Sequence, residues 1–105
     1  MQPDLLFKAL SDPTRRALFE RMCQDGALTV QQLTRGAGVS QPAVSKHLAV
    51  LMLAGLIRLR PQGRQSHYSA SPGALQPLTN WLQVYSAFWD NRLDALTDLL
   101  GKIDQ

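Results

Sequence analysis

The chain has 105 residues, 45% of them hydrophobic, and a formal net charge of +3. That length supports one domain over 1–105 with one core, and no apolar run approaches the roughly 20 residues that span a bilayer. Met1-Gln2-Pro3-Asp4 lacks the basic start of a signal peptide and the single Cys23 has no partner for an internal disulfide, so a cytoplasmic protein in a reducing compartment is expected.

The placing of the charges says more than their sum. The eight acids are Asp4, Asp12, Glu20, Asp25, Asp90, Asp94, Asp98 and Asp104, so residues 26–89 hold none. The same stretch carries Arg35, Lys46, Arg58, Arg60, Arg64, His47 and His67. A long acid-free interval with the basic residues inside it is the footprint of a surface for a polyanion. A chance gap in a chain poor in charge is the weaker explanation.

In chain order, Leu5, Leu6, Ala9 and Leu10 stand at helical spacing after Asp4 and predict a short first helix. Ser11-Asp12-Pro13-Thr14 is a stop followed by a start, with Asp12 as cap and Pro13 at the first helical position. The second helix is expected to about Gln24, with Ala17, Leu18 and Met22 inward and Arg15, Arg16 and Arg21 mostly outward. Thr29 is a candidate cap for a third, short helix patterned by Val30, Leu33 and Ala37.

Ser40 caps the fourth helix and Pro42 sits in its first turn, where a missing N–H costs nothing. At 100° per residue Val44, Leu48 and Leu51 share one face, while Pro42, Ser45, Lys46 and Ala49 point away from it; Gly55 suits the stop. Two short helices joined by a glycine-containing turn make a helix-turn-helix, whose second helix enters the major groove of DNA. An ordinary helical hairpin shares the period and the caps; the polar, acid-free outer face argues against it.

Leu56–Arg60 alternates Ile57 and Leu59 with Arg58 and Arg60 and predicts a half-buried strand. Pro61–Gln65 reads as a turn and Ser66–Ala70 as the returning strand, giving a β-hairpin with Arg64 near its tip. The last helix is expected from the Ser71-Pro72 cap to about Ile103. Its stripe runs through Leu75, Leu78, Leu82, Tyr85, Trp89, Leu93, Leu96 and Leu100. Such a helix is longer than a domain of this size covers, which argues for a second copy of the chain.

With these residues in view, the chain resembles the arsenic-repressor (ArsR/SmtB) family of winged helix-turn-helix repressors over nearly its whole length. Phe7 to Leu18 is similar to the family's entry segment and Val39 to Leu51 to its recognition motif, and the Arg64…Tyr68 wing and long final helix complete the pattern. The resemblance implies a mainly α fold with a small β-hairpin, in the order four helices, two strands, one helix. It also implies a homodimer through the terminal helices, placing Leu5, Leu6, Leu82, Tyr85, Trp89, Leu93 and Leu96 at the interface. Its partner is double-stranded operator DNA with an inverted repeat, and its action is repression. Where metal-sensing members carry a Cys-x-Cys pair, this chain has Thr29 and Gln31, and no His follows His67. Asp90, Asp94 and Asp98 form a carboxylate stripe that reads as a solvated face. No metal and no cofactor is expected, the likeness being to the metal-free branch that includes autorepressors; the sequence names no effector.

Gln41, Ser45 and Lys46 are the expected readers of base edges, with Pro42 against a thymine methyl. His47 is expected to meet a phosphate or to pack, and Arg64, Arg58 and Gln62 to meet backbone or minor groove from the wing. The helix starts at Ser40 and Thr29 offer N–H groups to phosphates. An enzyme is set aside because no nucleophile-base arrangement, phosphate loop or ligand cluster is present. A winged-helix module that binds protein is the other alternative, disfavoured by the unpaired arginines.

Overall fold

The computed structural model describes residues 3–103, and the side chains of residues 91–94, 102 and 103 lie outside that description. Helices α1 (Asp4–Ser11), α2 (Pro13–Asp25), α3 (Val30–Thr34) and α4 (Gln41–Leu53) are followed by strands β1 (Ile57–Gln62) and β2 (Gln65–Ala70) and helix α5 (Gln76–Ile103). This is a winged helix-turn-helix. The chain divides into two compact units, Met1–Leu75 and Gln76–Gln105.

In the first unit the core gathers Leu6 and Ala9 from α1, Leu18, Phe19 and Met22 from α2, and Leu33 from α3. Val44, Leu48 and Leu51 of α4 join them, with Leu56 and Ile57 at the start of the wing. Each buried Leu or Met contributes about 1.5–3 kcal/mol through its burial. On α2 the expected inward Ala17 is exposed, and Phe19 is buried with Leu18 and Met22.

The caps form where the sequence puts them. Asp12 accepts from the Arg15 N–H at 2.9 Å, with Pro13 opening α2. Thr29 and Gln32 exchange side-chain and backbone bonds in a capping box at 3.1 and 2.9 Å. Ser40 caps α4 through the Ala43 N–H, a longer contact of 3.4 Å. The third helix is only five residues, stopping at Thr34 before Ala37.

The two strands pair antiparallel from Ile57↔Ala70 to Gln62↔Gln65. The turn is therefore the two residues Gly63 and Arg64, tighter than the expected Pro61–Gln65 loop. Gly63 has φ +60°, a value a two-residue hairpin turn asks of its first central residue and glycine supplies without strain. Pro61 lies inside β1, tolerated because the pair next to the closing one exchanges no hydrogen bonds. Only Ile57 of β1 is buried and Leu59 is exposed, since the hairpin runs outward beyond the core. Its base is held by reciprocal bonds between Leu28 and Tyr68, 2.9 and 2.8 Å.

The second unit is α5, 28 residues and about 42 Å long. It begins at Gln76 and not at Ser71-Pro72. Residues 71–74 form a turn, with the Ala74 N–H donating to the Ser71 carbonyl at 3.2 Å and Gly73 at φ +71°. A helix through this segment would place Pro77 in its interior; starting at Gln76 puts it in the first turn.

Candidate nucleic-acid interface

α4 is built to present one face. Val44, Leu48 and Leu51 fix the helix to the core, and Gln41, Pro42, Ser45, Lys46 and Ala49 are left exposed. Ser40, at the start, is exposed as well. Arg58, Gln62 and Arg64 are exposed along the wing, with Arg64 in the turn itself. No carboxylate stands between Gly26 and Trp89 to neutralise them. α4 and the wing thus belong to one acid-free segment.

Thr29 differs from the other expected contact residues. It is buried, and both its N–H and its hydroxyl are engaged by Gln32. Its role in the structure is to start α3.

The arginines of α2 are not a free outward row. Arg15 donates to the Ala9 and Lys8 carbonyls at 2.6 and 3.0 Å, and Arg16 to the Leu10 carbonyl at 2.7 Å. Arg21 reaches the other way, to the carbonyls of Leu33, Arg35 and Gln32 at 2.8, 3.0 and 2.9 Å. Each guanidinium thus sits at the negative C-terminal end of a neighbouring helix and satisfies carbonyls that lack helical partners. Sequence reasoning missed this because such acceptors are backbone atoms and leave no mark in side-chain identity.

Arg15 makes one further contact: its Nη1 lies 3.3 Å from His47 Nδ1 on α4. His47 is half-buried at the edge of the exposed face. Asp12 stands in the same cluster. The Arg15 N–H that it accepts holds its carboxyl below the ordinary aspartate value, with smaller help from the His47 and Arg15 charges.

Cys23 is exposed on α2. Local desolvation, and then the Glu20 carboxylate, push its thiol up and so disfavour the reactive thiolate.

Of the residues expected between subunits, Leu6 is corrected. It is 2% exposed within the single chain, so it belongs to the core and has no surface to give a partner. Leu5 is 53% exposed. On α5, Leu82, Tyr85, Trp89 and Leu96 are all exposed, and Leu93's side chain lies outside the described residues. The Trp81 and Tyr85 rings pack at 4.7 Å and Phe88 meets Trp89 edge-on at 5.7 Å. Asp90 and Asp98 are exposed, and Asp94's side chain is outside the description. Among the described residues no three His, Cys, Asp or Glu side chains come together as a metal site, and no helix is long and apolar enough to cross a membrane.

Known proteins agree with this geometry. A family model described as a helix-turn-helix domain matches residues 10–60. The HTH-type transcriptional regulator Rv2034 of Mycobacterium tuberculosis (strain ATCC 25618 / H37Rv) is 41% identical over 98 residues, covering 93% of this chain and 88% of the relative. The transcriptional repressor SdpR of Bacillus subtilis (strain 168) is 33% identical over 88 residues, covering 84% and 97%. The crystal structure of an ArsR family transcriptional regulator, RHA00566, superimposes with a TM-score of 0.73 at 31% identity, over 86% of this chain and 95% of that one. Fold, exposed polar face of α4 and these relatives lead to one conclusion: the chain belongs to the ArsR/SmtB-type family of winged helix-turn-helix transcriptional regulators, DNA-binding proteins and not enzymes.

Proposed function

We propose that this regulator is a homodimeric repressor that binds an inverted-repeat operator in its own or a neighbouring operon, acting on nucleoid DNA in the cytoplasm. The observation that carries the reading is the exposed Gln41-Pro42…Ser45-Lys46 face of α4, held rigid by its buried side and free of carboxylates. Lys46 donates to guanine O6 or N7 and Gln41 pairs with adenine, with Ser45 beside them and Pro42 against a thymine methyl. The start of α4 at Ser40, through the Gln41 N–H, and Arg58, Gln62 and Arg64 on the wing, hold the DNA backbone. Thr29 supports these contacts from within the fold, by starting the helix that packs behind α4. The exposed apolar side chains of α5 are a dimer surface, and Leu5 on α1 is assigned to the dimer as well. The repressor name of the 33% identical Bacillus subtilis relative supports the direction of regulation.

Selection of bound sequences from random duplex DNA, followed by footprinting on the chain's own promoter region, tests this. The expected site has a dyad whose half-sites are centred about 10–10.5 base pairs apart or a multiple of it. A selected site with no dyad would refute the symmetric dimer, and no selection at low salt would refute sequence reading by α4.

A further inference from the structure

We infer that Arg15 sets the tautomer of His47, making the Nε2–H of that ring a neutral hydrogen-bond donor to a DNA phosphate. The inference rests on the reading of α4 as the helix that faces DNA.

A guanidinium has five N–H donors and no acceptor. The 3.3 Å contact between Arg15 Nη1 and His47 Nδ1 is therefore a hydrogen bond only when Nδ1 carries the lone pair. In a neutral imidazole the proton then resides on Nε2. Protonating the ring would replace the lone pair with an N–H and break this hydrogen bond.

Arg15 is well placed for this task because it cannot swing away. Its Nε and Nη2 are bound to the Ala9 and Lys8 carbonyls at the end of α1. The third arm is thereby aimed at α4. This is the logic by which a partner on one ring nitrogen fixes what the other nitrogen presents.

The other nitrogen has somewhere to go. His47 is half-buried, one residue beyond the exposed Lys46 and one before the buried Leu48. A position at the border of the reading face lies over the groove's edge, where phosphates run, and not over base edges. Arg15 is thus a positioning residue, acting on DNA through His47.

Two measurements test this. Long-range proton–nitrogen NMR of the histidine rings in the DNA-free protein at neutral pH is expected to show His47 as the Nε2–H tautomer. An Nδ1–H ring would overturn the role of Arg15 while leaving the reading of α4 intact. The second is operator affinity of three His47 substitutions. His47→Gln keeps an amide N–H near the place of Nε2 and is expected to bind within about twofold of wild type. His47→Asn, whose amide reaches only as far as Nδ1, and His47→Ala are both expected to lose about tenfold, on all sequences alike. Their salt dependence should match that of wild type, because a neutral donor displaces no counterion. An unaltered His47→Ala or a His47→Gln as weak as His47→Ala would each overturn the phosphate role, and a salt slope reduced by about one would show a charged ring at the phosphate and overturn the neutral donor. A wild-type protein that binds no DNA would overturn the reading of α4 itself, and the tautomer measurement still reports on Arg15.

Discussion

Lys46 carries the sharpest test at the scale of single residues. It is exposed on α4 and no acid of the central segment competes for it. Lys46→Ala is expected to cost about 1–3 kcal/mol of operator binding and to relax preference at one base pair, as measured by titrating single-position operator variants. Asp12 carries a test of stability. Its folded pKa is lowered by the Arg15 N–H it accepts. Above the ordinary aspartate value the cap is ionised in both states and contributes fully; its contribution is lost as pH falls through the lower folded value. Urea midpoints of wild type and Asp12→Ala should therefore differ by a constant amount at neutral pH and converge in acid. A gap that stays constant into strong acid would show that the ionised cap is not what stabilises α2. Both residues were legible in the sequence because their signals are local: a polar residue before a proline, a lysine on the far side of a buried stripe. Arg15 and Arg21 were not. Their carbonyl partners lie 6 to 14 residues away along the chain, and an arginine on a helix carries no sign of whether it faces water or clasps a neighbour.

Among the elements, α4 kept its expected bounds because cap, first-turn proline and glycine stop all agree. The wing and α5 moved because one or two residues outweighed a pattern. Gly63 at φ +60° closes the hairpin in two residues, and Pro77 with Gly73 delays α5 to Gln76. Proline in the first turn is a start signal as strong as the Ser71-Pro72 pair, and the turn at Gly73 decides between them. The tight wing puts Arg64 at its tip, exposed. Arg64→Ala should weaken binding to every sequence by a similar factor and lower the slope of log affinity against log salt by about one. A change in sequence preference with the slope unaltered would move Arg64 from the backbone to a base.

For the whole molecule, the question is what covers α5. Leu82, Tyr85, Trp89 and Leu96 together expose far more apolar side chain than isolated surface residues account for. Substituting Leu82→Arg and Leu96→Arg together is expected to give a folded monomer by sedimentation, which still shows helical circular dichroism but has lost high affinity for a two-half-site operator. A double variant that remains dimeric would place the interface elsewhere. The stripe and length of α5 in the sequence already argue for a partner. The sequence did not show that Leu6 is excluded, since one apolar residue in an amphipathic first helix looks like the next until the core is assembled.

The paired bonds between Leu28 and Tyr68 give the wing the mechanics of a cantilever. Its tip at Arg64 is free and its root is clamped to the residue just before the Thr29 cap of α3. DNA held at the tip is expected to load the start of the helix-turn-helix through these bonds, coupling grip on the backbone to the seating of α4. Combining Arg64→Ala with Lys46→Ala should then lose less binding energy than the two separate losses added together, by at least about 0.5 kcal/mol in a double-mutant cycle. Strict additivity would show a wing that hangs on the fold without steering it.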